Sequence, residues 1–576
     1  MCGIWAYIEH TAKTTKTEKS RTESSIIETR YDSDLAYKKV NAANMLECRG
    51  PDKTISLYAN DYTFVFHRLA IHDLSSNGDQ PFSFEFTNKL DEKIKIDLMC
   101  NGEIYNYADL VNDYQLQDKL KSKSDCEVIG LLLYEFNFNI RKTLLKLRGE
   151  FAFIARVIVI SKDNEIRENL LLIGRDPYGV RPLYYGISKN AIILSSLMAG
   201  ITTLDDQDIK CHHFPPGHSF IGSINEIPYD EERFKKNCSD EYLNCFRWKD
   251  KPMKTLQDKD TYDIMVYYKG ITDSFINAVK IRLDSEREVG FLLSGGLDSS
   301  LVVAVATKIC NVQKPQTFNI GFDEEAPDVQ FAYKVAEHLD TNHHAIIIDT
   351  NDAINVIPQI IKSLETYDIT TIRASTPQFL LAQYIKELTD IKVILNGDGS
   401  DEVSMGYLYN YYAPSDEEAH ADSIRLLSEI HMYDGLRVDR TLATHGLEAR
   451  LPFLDRIYVE SYLELPVELR RPSVSKNRME KQFLRDAFNT IYPGILPLDV
   501  LYRKKEAFSD GVSQVKKSWY TVLQEQARWE NKTEEQWYKQ IFDELFPGQS
   551  HICPKYWMPQ WTTATDPSAR TLTVYS

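Results

Sequence analysis

The sequence lacks three features that would each have placed it in a different class of protein. No apolar run approaches the ~20 residues of a membrane-spanning helix, and no basic segment of the secretory type begins the chain. Lys and Arg number 67 against 84 Asp and Glu, so the net charge is −17 and no basic excess is present. We therefore expect no membrane partner and no nucleic acid partner.

Cysteine is present, but not in the pattern of a secreted, cross-linked domain. The nine cysteines include no CxxC pair, and their odd number argues against a disulfide framework. We expect a cytoplasmic protein, because reducing conditions there keep a reactive thiol free.

The first two hundred residues read mostly as strands. Apolar and β-branched runs at 63–67, 94–99, 151–160 and 170–173 are bounded by turn residues, and a helical period appears at 126–134. A polar stretch rich in Thr, Lys, Glu and Ser interrupts this region, and we expect a surface insertion within 11–40 whose role is open.

The pattern changes in the second half of the chain. Helical windows there alternate with apolar runs at 289–293, 316–320 and 392–395, which is typical of a parallel α/β sheet. Apart from Lys481, we find no obvious chemistry in the helix-forming runs beyond residue 415. At 576 residues the chain exceeds one typical domain. We predict domains at 1–215 and 261–576 with a linker region at 216–260.

Cys2 is the first candidate catalytic residue. Cysteine is small enough for the usual trimming of an initiator Met, which would leave an α-amine and a thiol on one residue. The α-amine titrates near ~7.7–8.0 and can take the thiol proton directly or through a water. The position therefore predicts an N-terminal nucleophile, and a chance cysteine behind the initiator Met is the alternative.

Two glycine loops follow predicted strands. Ser294–Ser300 joins a strand to a helical run, an arrangement that directs backbone N–H groups and a helix dipole at phosphate. It resembles the SGGxDS loop of enzymes that split ATP between the α and β phosphates. Asn396–Glu402 follows a second strand, and loops at the carboxyl ends of parallel strands can converge on one nucleotide. Asp298 and Asp401 are candidate Mg²⁺ ligands, because that ion prefers carboxylate oxygens.

A hydrolase that uses Cys2 on an amide needs further groups. Asn101 and the Gly102 N–H can form an oxyanion hole, Arg68 can hold a carboxylate through two hydrogen bonds, and Asp125 can take an ammonium group. Taken singly, Arg68 and Asp125 are more often members of surface ion pairs.

The order of these motifs carries a family resemblance. The first half resembles class II glutamine amidotransferases, and the whole series resembles glutamine-hydrolysing asparagine synthetases. The motifs are MCGI (1–4), CRGPD (48–52), RLAI (68–71), NGEIYN (101–106), SDCE (124–127), LLSGGLDSS (292–300), ETYDITTIRASTP (365–377), GDGSDE (397–402), EARLPFLD (448–455), MEKQFLRDAF (479–488) and KKEAFSDGV (504–512).

The resemblance implies a fold and a reaction. The expected fold class is α/β, with an N-terminal Ntn-hydrolase-type αββα sandwich followed by a C-terminal parallel-sheet ATP pyrophosphatase domain of the PP-loop type with added helices. The expected reaction converts L-aspartate to L-asparagine through β-aspartyl-AMP. It consumes ATP with Mg²⁺, and its ammonia comes from L-glutamine through an internal tunnel. A homodimer is possible by the same analogy.

The resemblance also implies roles for individual residues. Cys2, Asn101, Gly102, Asp398 and Lys481 would be catalytic. Glutamine would contact Arg68, Leu69, Ala70, Ile71, His72, Asn101, Gly102, Glu103 and Asp125. ATP would contact Leu292, Ser294, Gly295, Gly296, Asp298, Ser299, Ile320, Asn396 and Gly397. Aspartate would contact Thr370, Thr371 and Arg373, and the metal would contact Asp298 and Asp401.

Several positions depart from the family pattern. Asp398 stands where the family has a Glu credited with forming the adenylate and deprotonating ammonium, and a ~1 Å misplacement of such a group can lower a rate about a hundredfold. Asn396 replaces a Ser. The run 403–407 replaces one with two glycines, and the larger Met405 could crowd that turn. Two alternatives remain: a synthetase for another carboxylic acid, and a binding relative whose synthetase site has decayed.

Overall fold

A computed structural model of the chain shows two units, Met1–Cys245 and Phe246–Ser576. The described residues are 1–9, 25–59, 61–204, 209–226, 231–238, 253–255, 263–505, 511–513, 517–564 and 566, without the side chains of 25–33 and 225. Part of the predicted insertion and most of the predicted linker lie outside these residues.

The first unit contains two antiparallel sheets. Among the described residues, one sheet has the strand order β10-β8-β9-β1-β3-β2 and the other has the order β11-β7-β6-β5-β4. The strands are β1 Gly3–Glu9, β2 Lys53–Tyr58, β3 Tyr62–Arg68, β4 Phe82–Thr87, β5 Lys93–Ile104, β6 Gly149–Ile160, β7 Ile166–Arg175, β8 Tyr184–Ile187, β9 Ala191–Ser195, β10 Cys211–His213 and β11 Ser219–Ser223.

The two sheets face each other across one apolar core. Ile4 and Phe66 of the first sheet belong to the same buried cluster as Ile154 and Ile173 of the second. Helices contact both sheets from outside this core, α5 against β9 and α3 and α4 against the second sheet. The predicted αββα sandwich is confirmed. The helices are α1 Ser25–Asn44, α2 Tyr107–Asp113, α3 Glu127–Glu135, α4 Ile140–Lys146, α5 Ala199–Thr202 and α6 Glu231–Asn237.

The first unit extends past residue 215. Strand β11 pairs with β7 at the edge of the second sheet, and Phe234 of α6 packs in the core cluster. The first unit therefore takes in the start of the segment predicted as a linker.

The second unit is built on a parallel sheet with the strand order β14-β13-β12-β15-β16 in the described residues. All four neighbouring pairs run parallel. The three strands predicted from apolar runs are β12, β13 and β15, and the predicted parallel α/β sheet is confirmed. The strands are β12 Val289–Leu292, β13 Gln316–Gly321, β14 Asn342–Ile347, β15 Val393–Leu395 and β16 Glu448–Arg450.

Helices surround this sheet and extend well beyond it. None of those in the described residues has the length and apolar character that crossing a bilayer would need. The helices are α7 Ile264–Ile281, α8 Leu297–Ala304, α9 Pro327–Leu339, α10 Thr350–Asn355, α11 Ile357–Leu364, α12 Ile369–Leu388, α13 Ser400–Ser404, α14 Asp416–Glu429, α15 Asp434–Ala443, α16 Arg456–Leu463, α17 Val467–Arg470, α18 Gln482–Ile491, α19 Leu498–Leu501, α20 Trp519–Trp529 and α21 Glu534–Leu545.

Candidate active sites

Cys2 lies at the start of β1, beside the backbone of Leu69. The Leu69 N–H donates to Sγ at 3.5 Å, and the thiol donates to the Leu69 carbonyl at 3.7 Å. The next segment is held in place because the Ala70 N–H donates to Asp52 Oδ2 at 2.8 Å. Strand pairing of Gly3 with His67 brings the two chain segments together. The thiol therefore lies against the loop that carries the predicted glutamine contacts.

Asn101 carries a buried amide with no hydrogen-bond partner among the described residues. Its side chain is fully buried in β5, and neither Oδ1 nor Nδ2 has a hydrogen-bond partner in the described part of the chain. Cys2 packs against the apolar cluster that contains Met99 and Ala152. Met99 lies two residues before Asn101 on β5, and Ala152 is the partner of Asn101 on β6. Because buried polar atoms are nearly always paired, this amide is suited to a ligand oxygen.

Gly102 is required by its conformation. Its φ is +148°, and a Cβ there would overlap the Glu150 carbonyl oxygen on the neighbouring strand. Only glycine therefore lets β5 and β6 approach at this point.

The charged residues predicted to hold glutamine contact other parts of the protein. Arg68 donates to Asp79 Oδ1 and to the Ser75 carbonyl, both at 2.7 Å. Asp125 Oδ2 accepts from the Ile104 N–H at 2.5 Å. His72 Nε2 lies 3.1 Å from Glu103 Oε2. Arg68 thus already orders the loop after β3, and its contact with glutamine stays a prediction.

One pocket in the second unit brings most of the predicted ATP and aspartate residues together. Gly295, Ile320 and Thr371 do not line it. The predicted residues that do are Leu292, Ser294, Gly296, Asp298, Ser299, Thr370, Arg373, Asn396, Gly397, Asp398, Asp401 and Lys481.

The two glycine loops touch each other in this pocket. Ser294 Oγ lies 3.0 Å from Ser299 Oγ within the first loop. Ser400 Oγ of the second loop donates to Asp298 Oδ1 at 2.7 Å. A Cβ on Gly397 would lie 2.6 Å from the Ser299 backbone nitrogen, so the close approach of the loops depends on this glycine. The prediction that the two loops converge is confirmed.

Two lysines neutralise the predicted metal ligands. Lys481 Nζ lies 2.5 Å from both Asp298 Oδ2 and Asp401 Oδ1, and Lys505 Nζ lies 2.5 Å from Asp401 Oδ2. Burial alone would raise the pKa of Asp401, but Lys481 and Lys505 hold that pKa well below its usual range. Burial would lower the pKa of Lys505, and Asp401 and Asp298 raise it instead. Sequence reasoning gave Lys505 no role.

The residues present fit a Mg²⁺ ion that is shared with a substrate. Asp298 and Asp401 direct carboxylate oxygens at one ammonium nitrogen, so both can approach one cation. No group of three or more His, Cys, Asp or Glu suited to a metal occurs in the described residues. The pair Asp298 and Asp401 suits an ion that takes one or two carboxylates and completes its shell with phosphate and water.

Asp398 is held at both its backbone and its side chain. Its N–H donates to Asn396 Oδ1 at 2.7 Å, and its carboxylate contacts Arg437. Burial raises the pKa of Asp398, and Arg437 opposes that shift. Met405, at the turn after Ser404, has a φ of +55° and is fully buried in an apolar cluster with Ala413.

Thr371 and Arg373, two of the residues predicted to bind aspartate, already bond to carboxylates of the protein. Thr371 donates its N–H and its hydroxyl to Asp368 Oδ2 at the start of α12, so it stabilises the helix end. Arg373 donates to both carboxylate oxygens of Glu534 and to both of Asp566, at 2.6–3.0 Å. Its guanidinium is therefore already engaged by two carboxylates.

Comparison with known proteins covers the whole chain. A family model described as a glutamine amidotransferase domain matches residues 1–214, and one described as asparagine synthase matches 270–425 and 411–571. Proteins from Bos taurus and Homo sapiens, each named as a glutamine-hydrolysing asparagine synthetase, are 37% identical over 609 aligned residues. Those alignments span 100% of this chain and 99% of each relative. A protein of the same name from Gallus gallus is 37% identical over 610 aligned residues with the same coverage.

Proposed function

This chain belongs to the glutamine-hydrolysing asparagine synthetase family, and we propose that its two units divide one reaction between them. The enzyme makes L-asparagine from L-aspartate and ATP with glutamine as the nitrogen donor. The observation that carries this conclusion is the 37% identity to such synthetases along the full chain. We assign glutamine hydrolysis to the first unit and adenylation with amide formation to the second.

In the first unit, Cys2 would act as the nucleophile. Removal of Met1 would free the Cys2 α-amine, which would then take the thiol proton. The thiolate would attack the glutamine amide carbon, and the tetrahedral oxyanion would accept hydrogen bonds from Asn101 Nδ2 and the Gly102 N–H. The unpartnered amide of Asn101 supports this assignment. Ammonia would leave, and water would release glutamate from the thioester.

In the second unit, ATP would bind against the two glycine loops. The β-carboxylate of aspartate would attack the α-phosphorus, which releases pyrophosphate and forms β-aspartyl-AMP. Lys481 and Lys505 would exchange their carboxylate contacts for phosphate contacts and neutralise the charge that develops. A Mg²⁺ ion held by Asp298 and Asp401 would supply further neutralisation of the phosphates.

Amide formation needs ammonia in its neutral form. Asp398 would accept a proton from ammonium as the nitrogen attacks the acyl carbon and AMP leaves. Its raised pKa favours proton uptake, and Arg437 fixes the position of its carboxylate. We propose that this fixation compensates for the shorter side chain of Asp398.

The cellular location, the route of ammonia and the oligomeric state are also proposals. None of the eight cysteines in the described residues forms a disulfide, which is consistent with a reducing cytoplasm. We propose internal transfer of ammonia between the two sites, and a homodimer stays an expectation.

The test is the fate of a labelled nitrogen. Purified enzyme with ATP, Mg²⁺, aspartate and amide-¹⁵N glutamine should form ¹⁵N-asparagine, AMP and pyrophosphate in equal amounts. Unlabelled ammonium added at millimolar concentration should dilute the label little if transfer is internal. Pyrophosphate release that depends on another acid, with no asparagine formed, would contradict the proposal.

A further inference from the structure

Three residues that line the synthetase pocket carry a buried hydrogen-bond donor that has no partner in the described residues. Gln378 is buried, with 3% of its surface exposed, and its Nε2 has no partner in the described part of the chain. The same holds for Thr370 Oγ1 and for Nε of the buried Arg437. All three residues line the pocket that contains the two glycine loops.

The backbone explains why these three residues line one pocket. Thr370, Ala374 and Gln378 are spaced by four residues on α12, so they share one helix face, and all three line the pocket. Helix α15, which carries Arg437, packs directly against α12.

Unpaired buried donors are unfavourable unless a ligand completes them. A buried donor without an acceptor is destabilising by about 1–3 kcal/mol, and here three donors line one pocket. A carboxylate is the complementary group, because its two oxygens accept several hydrogen bonds and carry the negative charge that a guanidinium prefers.

Arg373, the cation predicted to bind aspartate, has no N–H group left to donate to a substrate carboxylate without breaking an existing contact. Its Nε and both Nη atoms already donate to Glu534 and Asp566, and the guanidinium stacks 4.7 Å from the ring of Tyr520. A substrate carboxylate would have to displace a carboxylate of the protein itself. Gln378 requires no such exchange.

We propose that Gln378, Thr370 and Arg437 bind the α-carboxylate of the aspartate substrate, with Gln378 as a specificity-determining contact. The inference rests on the proposed function of this pocket. The β-carboxylate must remain free to reach the α-phosphorus at the glycine loops, so the anchor belongs on the α-carboxylate. Asp434, which contacts Arg437 at 2.7 Å in the same pocket, supplies a negative charge for the α-ammonium group.

The test compares Gln378→Met and Thr370→Val with wild type. Both substitutions keep the side-chain volume and remove a donor. Gln383→Met is the matched control, because Gln383 lies on the same helix and bonds only to Glu387 near the surface, at 2.9 Å. Steady-state asparagine synthesis gives KM for aspartate, ATP and glutamine, and titration calorimetry with an ATP analogue gives the aspartate Kd.

We expect Gln378→Met to raise KM and Kd for aspartate roughly ten- to hundredfold, the effect of one lost hydrogen bond to a charged group. KM for ATP and for glutamine should stay within twofold, as should every constant of Gln383→Met. β-Alanine has the structure of aspartate without the α-carboxylate, and it should inhibit aspartate-dependent pyrophosphate release only weakly. Its inhibition constant should be the same for wild type and Gln378→Met.

Two results would overturn the proposal. One is an aspartate KM and Kd within twofold of wild type in both Gln378→Met and Thr370→Val, which would leave a buried water as the partner of these donors. The other is an equal loss of affinity for β-alanine and aspartate. Asparagine formation by the wild-type enzyme is scored separately, so failure of the proposed function is distinguished from failure of this subsite.

Discussion

The two candidate active sites differ in how they are prepared for their substrates. In the glutaminase unit, the key donor is a neutral amide, Asn101, that has no partner in the described residues. In the synthetase unit, the cations Lys481, Lys505 and Arg437 already lie against internal carboxylates. The glutaminase site thus presents a neutral donor that can bond to substrate directly. In the synthetase site, the positive charges are already compensated by carboxylates of the protein.

The difference follows from the charge of the substrates. The glutamine amide is neutral and becomes an oxyanion only during the reaction, so fixed neutral dipoles are sufficient. ATP and aspartate bring several negative charges into a buried pocket, which therefore needs cations. A buried cation without a partner is strongly unfavourable, so internal carboxylates occupy Lys481 and Lys505 until substrate exchanges with them. The glutaminase site should therefore depend on geometry, and the synthetase site on charge.

The largest expected effect is a geometric one in the glutaminase unit. Gly102→Ala would place a Cβ against the Glu150 carbonyl at a φ of +148°, so we expect glutamine hydrolysis to be lost and the free energy of unfolding to fall by roughly 3 kcal/mol or more. Gly296→Ala is the control, because its Cβ would meet only Ser294 Oγ, at 3.3 Å. Thermal unfolding of the two variants measures the contrast, and equal midpoints would contradict the role of Gly102.

The next effect separates catalysis from stability. Asn101→Ala should lower kcat for glutamine hydrolysis by about 10²–10³, the usual effect of one lost oxyanion donor. The free energy of unfolding should not fall, because the substitution removes a buried unpaired amide. Ammonium-dependent synthesis should be unchanged. A rate loss below tenfold would show that Asn101 is not the oxyanion donor.

A charge substitution should act on the other site alone. Lys505→Ala should lower ammonium-dependent asparagine synthesis roughly hundredfold, because the phosphates lose a cation, and leave glutamine hydrolysis within twofold. Lys517→Ala is the control, since Lys517 pairs at the surface with Glu525. Synthesis within threefold of wild type in Lys505→Ala would contradict the assignment.

The smallest expected effect is a pH dependence of stability that differs between two buried histidines. His445 is buried, its Nε2 has no partner among the described residues, and burial lowers its pKa to about 4. Its contribution to stability is therefore complete above pH 6.5 and is lost as the pH falls toward 4, by about 2 kcal/mol at pH 5.

The measurement is urea unfolding at pH 7.5 and pH 5 for wild type and His445→Gln. The variant should lose less stability between the two pH values than wild type. Burial also lowers the pKa of His67 in the glutaminase unit, but its hydrogen bond to the Ala43 carbonyl opposes that shift, so we expect a smaller pH dependence from His67. An identical pH dependence in wild type and His445→Gln would refute the expected role of this residue.

Local patterns in the sequence were sufficient for the central strands of the second unit and for its glycine loops. The apolar runs at 289–293 and 392–395 predicted two central strands, and the glycine turns after them predicted the convergence of Asp298 with the Ser400 loop. These features depend on neighbouring residues, which a sequence displays directly.

Long-range ion pairs were not predictable in the same way. Arg373 meets Glu534 and Asp566 across 161 and 193 residues, and Lys505 meets Asp401 across 104. Asp434, Arg437 and Lys505 come from runs beyond residue 415 in which we expected little chemistry. Only the packing of these helices shows that they line the pocket. The contacts of Gln378 likewise depend on the face that α12 presents.

The most direct test of two separable sites is nitrogen use by wild type and Cys2→Ala. Each purified enzyme receives ATP, Mg²⁺ and aspartate with either glutamine or ammonium chloride, and asparagine is quantified. We predict that wild type uses both nitrogen sources, and that Cys2→Ala uses ammonium at a wild-type rate and glutamine not at all. Glutamine-dependent synthesis by Cys2→Ala, or loss of ammonium-dependent synthesis in that variant, would contradict the division of the reaction between the two units.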